Sequence, residues 1–242
     1  NVFGLAVDGT RIGVERDHIF LDAGSSANAH RVLIGGTGAG QGNVFAAGTA
    51  QATSAPALGS VALVQNGLTL SRVEIVGNTL LGNDGIGLDF PHPTAGGGVA
   101  IGRTANDAGD GDSGPNRMQN FPEISSYSLA GAQADLAYRV DSTPAASAYP
   151  LRVDFYKALG DEGEVLLASD SYTAGEAQTI KPFSFTPPAG VSLGASDVIV
   201  AVATDAEGRS SEFGFHLVDS LAILSDGPDP SEVYPMLRPL DA

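Results

Sequence analysis

The chain has 242 residues, 43% of them hydrophobic, which suffices for one large or two ordinary domains with their own cores. It contains no cysteine, which excludes disulfides, thiolate metal sites and cysteine nucleophiles, and its net charge of -16 disfavours nucleic acid and anionic membranes as partners. With 32 glycines, 14 prolines and no apolar run near the roughly 18 residues of a membrane span, it reads as a turn-rich, all-β protein with no direct membrane span.

The first half carries an internal repeat. "NVFG" (1–4), "NVFA" (43–46) and "NTLLG" (78–82) share an asparagine followed by apolar residues, and "HRVLIGG" (30–36) and "SRVEIVG" (71–77) precede two of them. "DHIFLD" (17–22), "SVALVQN" (60–66) and "DGIGLDF" (84–90) continue the series; Leu63 and Leu88 lie 25 positions apart. The Ala/Ser/Thr/Pro-rich "GTAQATSAPALG" (48–59) lengthens the first interval and suits a loop extruded from a corner. Short apolar strands with polar corners at such intervals predict a parallel β-helix, each coil adding one strand to each of three sheets. Ile19, Leu21, Val32, Ile34, Val73, Ile75 and Leu88 are expected to point inward. Asn43 and Asn78 fall at equivalent corners, where their amides can bond along the stack.

After Phe121 the pattern changes to two-residue alternation. "EISSYSL" (123–129), "ADLAYRVD" (134–141), "LRVDFYKA" (151–158), "GEVLLASDSY" (163–172), "IKPFSFT" (180–186), "SDVIVAVATD" (196–205) and "SSEFGFHLVD" (210–219) read as strands separated by turn signals. Seven strands in about 100 residues is the count of an immunoglobulin-like or fibronectin-like antiparallel sandwich, with Phe155, Phe183, Phe185 and Val200 expected inside. The division is therefore a β-helix end with an acidic junction (1–120), a sandwich (121–220) and an ordered proline-rich tail (221–242). Tyr234, Met236 and Leu237 are the tail residues expected to dock on the sandwich or on another chain.

"NDAGDGDSGPN" (106–116) joins the two halves and crowds three aspartates among glycines. Calcium takes six to eight oxygen ligands, so Asp107, Asp110, Asp112 and Asn116, with Asp89 from "GLDF", form a candidate calcium site. The competing account is a solvated loop whose Asp and Asn side chains cap their own backbone. The four histidines show no metal spacing, "GGTGAGQG" (35–42) lacks the Lys-Ser/Thr ending of a phosphate loop, and "GDSGP" (111–115) has no evident His/Asp partners.

"IGGTGAGQGNVFAAG" (34–48), "VGNTLLGNDGIGLDF" (76–90), "NDAGDGDSGPNRMQNFPEI" (106–124) and "ATDAEGRSSEFG" (203–214) together resemble bacterial exported right-handed parallel β-helix repeat proteins. That resemblance covers residues 1 to about 215 and implies a short right-handed β-helix of two to three coils, a trailing β-sandwich and an extracytoplasmic setting. It assigns no activity. Asn1 begins inside a coil, so the expectation is a fragment of a longer protein or a first coil covered by another subunit.

No catalytic residues stand out. The function expected is that of a structural or interaction protein, a subunit or fragment of a larger surface or membrane-associated assembly. The alternative is a calcium-dependent carbohydrate-binding module or a protein related to β-helix polysaccharide lyases and hydrolases. Against it, no tryptophan offers a sugar platform and no paired carboxylates are recognisable.

Overall fold

The structure, a computed structural model, describes residues 1–12, 17–22, 31–47, 59–64, 72–93, 99–100, 102–160 and 162–214. The tail residues Tyr234, Met236 and Leu237 lie outside the described residues.

The first half is a stack of parallel strands. β1 (Val2–Phe3), β2 (Ile19–Asp22) and β3 (Arg31–Gly35) form the first coil, followed by β4 (Val44–Ala46), β5 (Gly59–Val64) and β6 (Arg72–Val76). β7 (Thr79–Leu81) and β8 (Ile86–Asp89) supply two sides of the next. These pair in parallel as β1-β4-β7, β2-β5-β8 and β3-β6, the stacking of a β-helix. Register places like on like: Ile19, Val61 and Leu88 form one column, Leu21 and Leu63 a second, Val32 and Val73 a third, Ile34 and Ile75 a fourth. Val61, Leu63, Val73 and Leu88 are at most 1% exposed, so these columns are the dry interior that holds the coils together.

The third side carries the asparagine-led repeat. Phe3, Phe45 and Leu80 stack in register on β1, β4 and β7, and the two phenylalanine rings lie 5.1 Å apart at 14°. Leu88 pairs with Val61 rather than Leu63, which lengthens that interval from 25 to 27 positions. A shift of two residues keeps every side chain on its own face, so the inward set survives the correction.

The corners carry an asparagine ladder. Asn1 Nδ2 donates to Asn43 Oδ1 at 2.8 Å, Asn43 Nδ2 donates to Asn78 Oδ1 at 3.0 Å, and Asn78 Nδ2 donates to the Ile34 carbonyl at 2.9 Å. Each amide thus satisfies the next coil's corner. Gly35, at φ +92°, lies against this corner; a Cβ there would sit 2.0 Å from the Val76 carbonyl oxygen, so only glycine fits.

β9 (His92–Pro93) and β10 (Val99–Ala100) form a small antiparallel ribbon before the acidic segment. Two antiparallel sheets follow: β11 (Glu123–Ala130), β12 (Gln133–Arg139) and β15 (Lys181–Phe185), facing β13 (Leu151–Leu159), β14 (Glu162–Tyr172) and β16 (Val198–Thr204). Between them lie Tyr138, Leu151, Val153, Phe155, Tyr172, Ile199, Ala201 and Ala203, with Phe185 and the half-buried Phe183 closing the edge.

Two expectations need correction here. Val200 does not face the sandwich interior; with Val202, Tyr156 and Phe213 it joins the core of the coils. β16 is a nearly unbroken apolar run because the β14-β13-β16 sheet is covered on both faces, by β11-β12-β15 and by the coil stack. Alternation on β13 shows the same: Phe155 points into the sandwich, and Tyr156 points into the coils, where its hydroxyl accepts from Gly77 N. The expected strand at 210–219 is also absent as such among the described residues. Residues 210–214 meet β16 through isolated bridges, Thr204 to Ser210 and Ala201 to Gly214, and through Ser211, whose N donates to the Ala203 carbonyl at 2.8 Å. Ser210 and Glu212 turn their side chains toward the coils, while the Ser211 hydroxyl accepts from Ala203 N on β16.

Candidate functional site

The acidic segment leaves β10 and crosses to β11 through a short 3-10 turn (Pro115–Met118). Its side chains are spent on holding that crossing in place. Asp107 Oδ1 and Oδ2 accept from Gly111 N at 3.2 and 3.0 Å, the expected capping of a turn by its own aspartate. Asn120 Oδ1 accepts from Asp107 N, and its Nδ2 donates to the Asp107 and Asp141 carbonyls. Asn106 and Phe121 make a similar reciprocal pair, side-chain amide to backbone, at 3.0 Å each way.

Asp110 is the hub. It is 6% exposed and sits at φ +64°. Its Oδ1 accepts from Asn120 N at 2.9 Å, and its Oδ2 accepts from Gln119 Nε2, Ser142 Oγ and Ser147 Oγ. Burial raises its pKa above the usual carboxylate value; the serine and backbone donors oppose this, and the charge of Asp107 adds to it. The Gln-Asn of "QNFP" therefore reads as the clamp on the aspartate loop, a role that sequence spacing gave no means to see.

One carboxylate oxygen each from Asp107, Asp110 and Asp112 falls within 4.8 Å of the others, an arrangement that could hold a metal ion. Asp112 is exposed and Asp107 half-buried, so the cluster opens to solvent on one side. Hard oxygen donors of this kind suit calcium or magnesium rather than softer metals.

Asn116 and Asp89 are not brought to this cluster. Asn116 is fully buried; its Nδ2 donates to the Val73 and Ser210 carbonyls at 2.7 and 2.8 Å, and its Oδ1 accepts from Val73 N at 2.8 Å. The amide imitates a strand residue, completing the edge of β6 and tying it to the segment after β16. Ser210 adds a second tie, its hydroxyl accepting from Ile75 N at 2.9 Å.

Asp89, at the end of β8, is also fully buried. Its Oδ2 accepts from Gly102 N at 3.2 Å, while Oδ1 has no hydrogen-bond partner among the described residues. Nearby Glu212, 3% exposed, accepts from Phe90 N at 2.8 Å through Oε1 and from Thr104 N at 2.7 Å through Oε2. Burial pushes Asp89 up to about 7 and Glu212 up to about 8; the charge of Asp89 raises Glu212 further, against the opposing pull of the backbone donors. Glu212, Ser210 and Asn116 add buried polar ties to the apolar coil-to-sandwich contact. The signal of Ser210 and Glu212 in the sequence is only polar residues interrupting an expected strand.

His18 places Nε2 at 2.9 Å from the Ala46 carbonyl oxygen and belongs to the coil wall rather than to a metal site. No helix among the described residues is long and apolar enough to cross a membrane. A scan against protein-family models found no match, and a search of curated proteins found none significantly similar.

Proposed function

We propose that this protein is a structural or interaction module of an extracytoplasmic bacterial assembly, a short β-helix end capped by a sandwich, which receives a further coil on its upstream edge. One observation carries this: among the described residues, the outer edges of β1, β2 and β3 pair with no other strand. Edge strands of this kind are templates for another chain, and natural proteins usually blunt them. Here the same coil exposes Val2 at 57%, Phe20 at 48% and Leu33 at 58%. Support for the bacterial, exported setting comes from the motif resemblance, and the occupant is a coil of the same pattern, from another subunit or an upstream segment.

A synthetic peptide spanning residues 72–90, which contains one coil's worth of strands, tests this. Added in excess, it is expected to slow amide hydrogen exchange along β1, β2 and β3 and nowhere else. Unchanged exchange on that edge, or protection confined to another surface, would remove the proposal.

The module's acidic joint is proposed to bind calcium through Asp107, Asp110 and Asp112. A ligand that binds only the native state stabilises it by about 2.7 kcal/mol at a hundred times its dissociation constant. Millimolar calcium is therefore expected to raise the melting temperature, and Asp107→Asn with Asp112→Asn to remove most of that rise. A melting temperature indifferent to calcium and to chelator would retire the metal while leaving the joint intact.

A further inference from the structure

The β3-β6 sheet is finished differently along its two edges. On the downstream edge side chains stand in for a strand: Asn116 bonds the N and the carbonyl of Val73, and the Ser210 hydroxyl accepts from Ile75 N. On the upstream edge no other strand among the described residues pairs with β3. Because Val32, Ile34, Val73 and Ile75 face the core, the alternate residues form the outer face, with Arg31 in register with Arg72 and Leu33 in register with Glu74.

Like charges facing each other on neighbouring strands are destabilising, so the stacked arginines need acids nearby. Each finds one in the downstream direction. Arg31 reaches Glu74, one coil on and two residues along, at 3.4 Å, and Arg72 reaches Glu207, on the turn after β16, at 3.1 Å. One coil upstream this diagonal fails. An arginine stacked on Arg31 would look for its acid at the position of Leu33, which is apolar and 58% exposed. The Arg31 side chain, itself 69% exposed, is open to a partner from that side.

We propose that the strand received against β3 carries a carboxylate in register with Arg31 and an apolar residue in register with Leu33, and so comes from a partner chain of different sequence. A second copy of this chain does not fit. Both of its strands on this side of the stack, Arg31-Val32-Leu33 and Arg72-Val73-Glu74, would place an arginine on Arg31. Inward positions supply the adhesion common to any coil, whereas the outward pair changes sign between partners and therefore selects among them. The proposal rests on the reading that the upstream edge receives a coil, and adds which coil it takes.

The experiment compares three acetylated peptides spanning residues 43–76, which supply one strand to each sheet: the native sequence, Arg72→Glu and Glu74→Leu. The readout is the peptide concentration that half-protects the amides of β1, β2 and β3 from hydrogen exchange in the full chain. Arg72→Glu is expected to lower that concentration about three- to tenfold at about 0.01 M salt, and to lose the advantage near 1 M. The chain carries a net charge of -16, so a more acidic peptide is repelled overall and a gain marks the local contact. Glu74→Leu is expected to tighten binding at both salt concentrations. In the Arg31→Gln protein the gain from Arg72→Glu should vanish while that from Glu74→Leu remains. If the native peptide protects as well as Arg72→Glu, or the gain survives Arg31→Gln, the partner chemistry is overturned and the docking edge stands. Tighter binding of the native peptide points to a second copy as the occupant. If none of the three protects the edge, the docking reading falls, and this proposal with it.

Discussion

Asn116→Ala is expected to lower the free energy of unfolding by about 3–5 kcal/mol, read from urea denaturation midpoints at constant slope. The substitution strips the partners from Val73 N and the Ser210 carbonyl and leaves the Val73 carbonyl with Ser210 N alone, all in a site with no solvent access. A buried backbone group left unsatisfied costs about 1–3 kcal/mol, and two such groups are left here, with a third losing one of its two donors. Asn116 also sits at φ +50°, a conformation that asparagine tolerates better than alanine. Asp112→Asn, on the exposed side of the same segment, is expected to change metal-free stability by less than about 0.5 kcal/mol. Asn116→Asp separates two roles. A cation ligand would keep or strengthen its calcium response with a carboxylate, whereas a strand-completing amide loses two donors and buries a charge, so the chain is expected to lose at least as much as with alanine. A cost for Asn116→Ala below about 1 kcal/mol would mean that the joint is not held there.

The contrast between Asn116 and its aspartate neighbours shows where sequence was informative. Apolar periodicity placed the coil strands and most of their inward residues, because burial in a parallel stack requires the same side chain to return on the same side of each coil. Alternation likewise located β11 to β16. It failed at Val200 because alternation separates two faces of a strand without saying that both are buried; only the unbroken "VIVAVA" of β16 hinted at a second apolar neighbour. The acidic segment invited a metal reading through residue type alone. Composition marks which residues can coordinate, but not which are spent on Gln119, Ser142 and Ser147, since those partners are brought in by tertiary contacts. Glu212 was invisible for the same reason: its partners Phe90 and Thr104 lie more than a hundred residues upstream.

Metal-free protein is expected to be less stable at pH 8 than at pH 5, the reverse of what ion-paired carboxylates produce. Asp89 and Glu212 start near 3.8 and 4.5 in the unfolded chain and rise to about 7 and about 8 on folding, both chiefly through burial. Between those limits the native state holds more protons than the unfolded state, so stability falls as pH rises. The contribution is fully present below about pH 4 and is lost as pH climbs through about 8. Each tenfold rise in proton affinity on folding is worth about 1.4 kcal/mol, so the two acids together account for several kcal/mol. Asp110 and Asp154, also raised by burial, act in the same direction. His18, lowered by burial, acts oppositely, its contribution being lost as pH falls below about 6.5. The lowered carboxylates Asp135, Glu176, Asp197 and Glu207 are at the surface, and their small contribution is lost only in acid below about pH 4. Urea midpoints measured with chelator across this range are therefore expected to drop toward pH 8. General repulsion within a chain of net charge -16 would give a similar slope. Asp89→Asn distinguishes the two, because it removes one charge of many yet is expected to flatten about half of the decline. A decline as steep in the variant as in the parent would assign the effect to overall charge and leave the buried pair without a role in it.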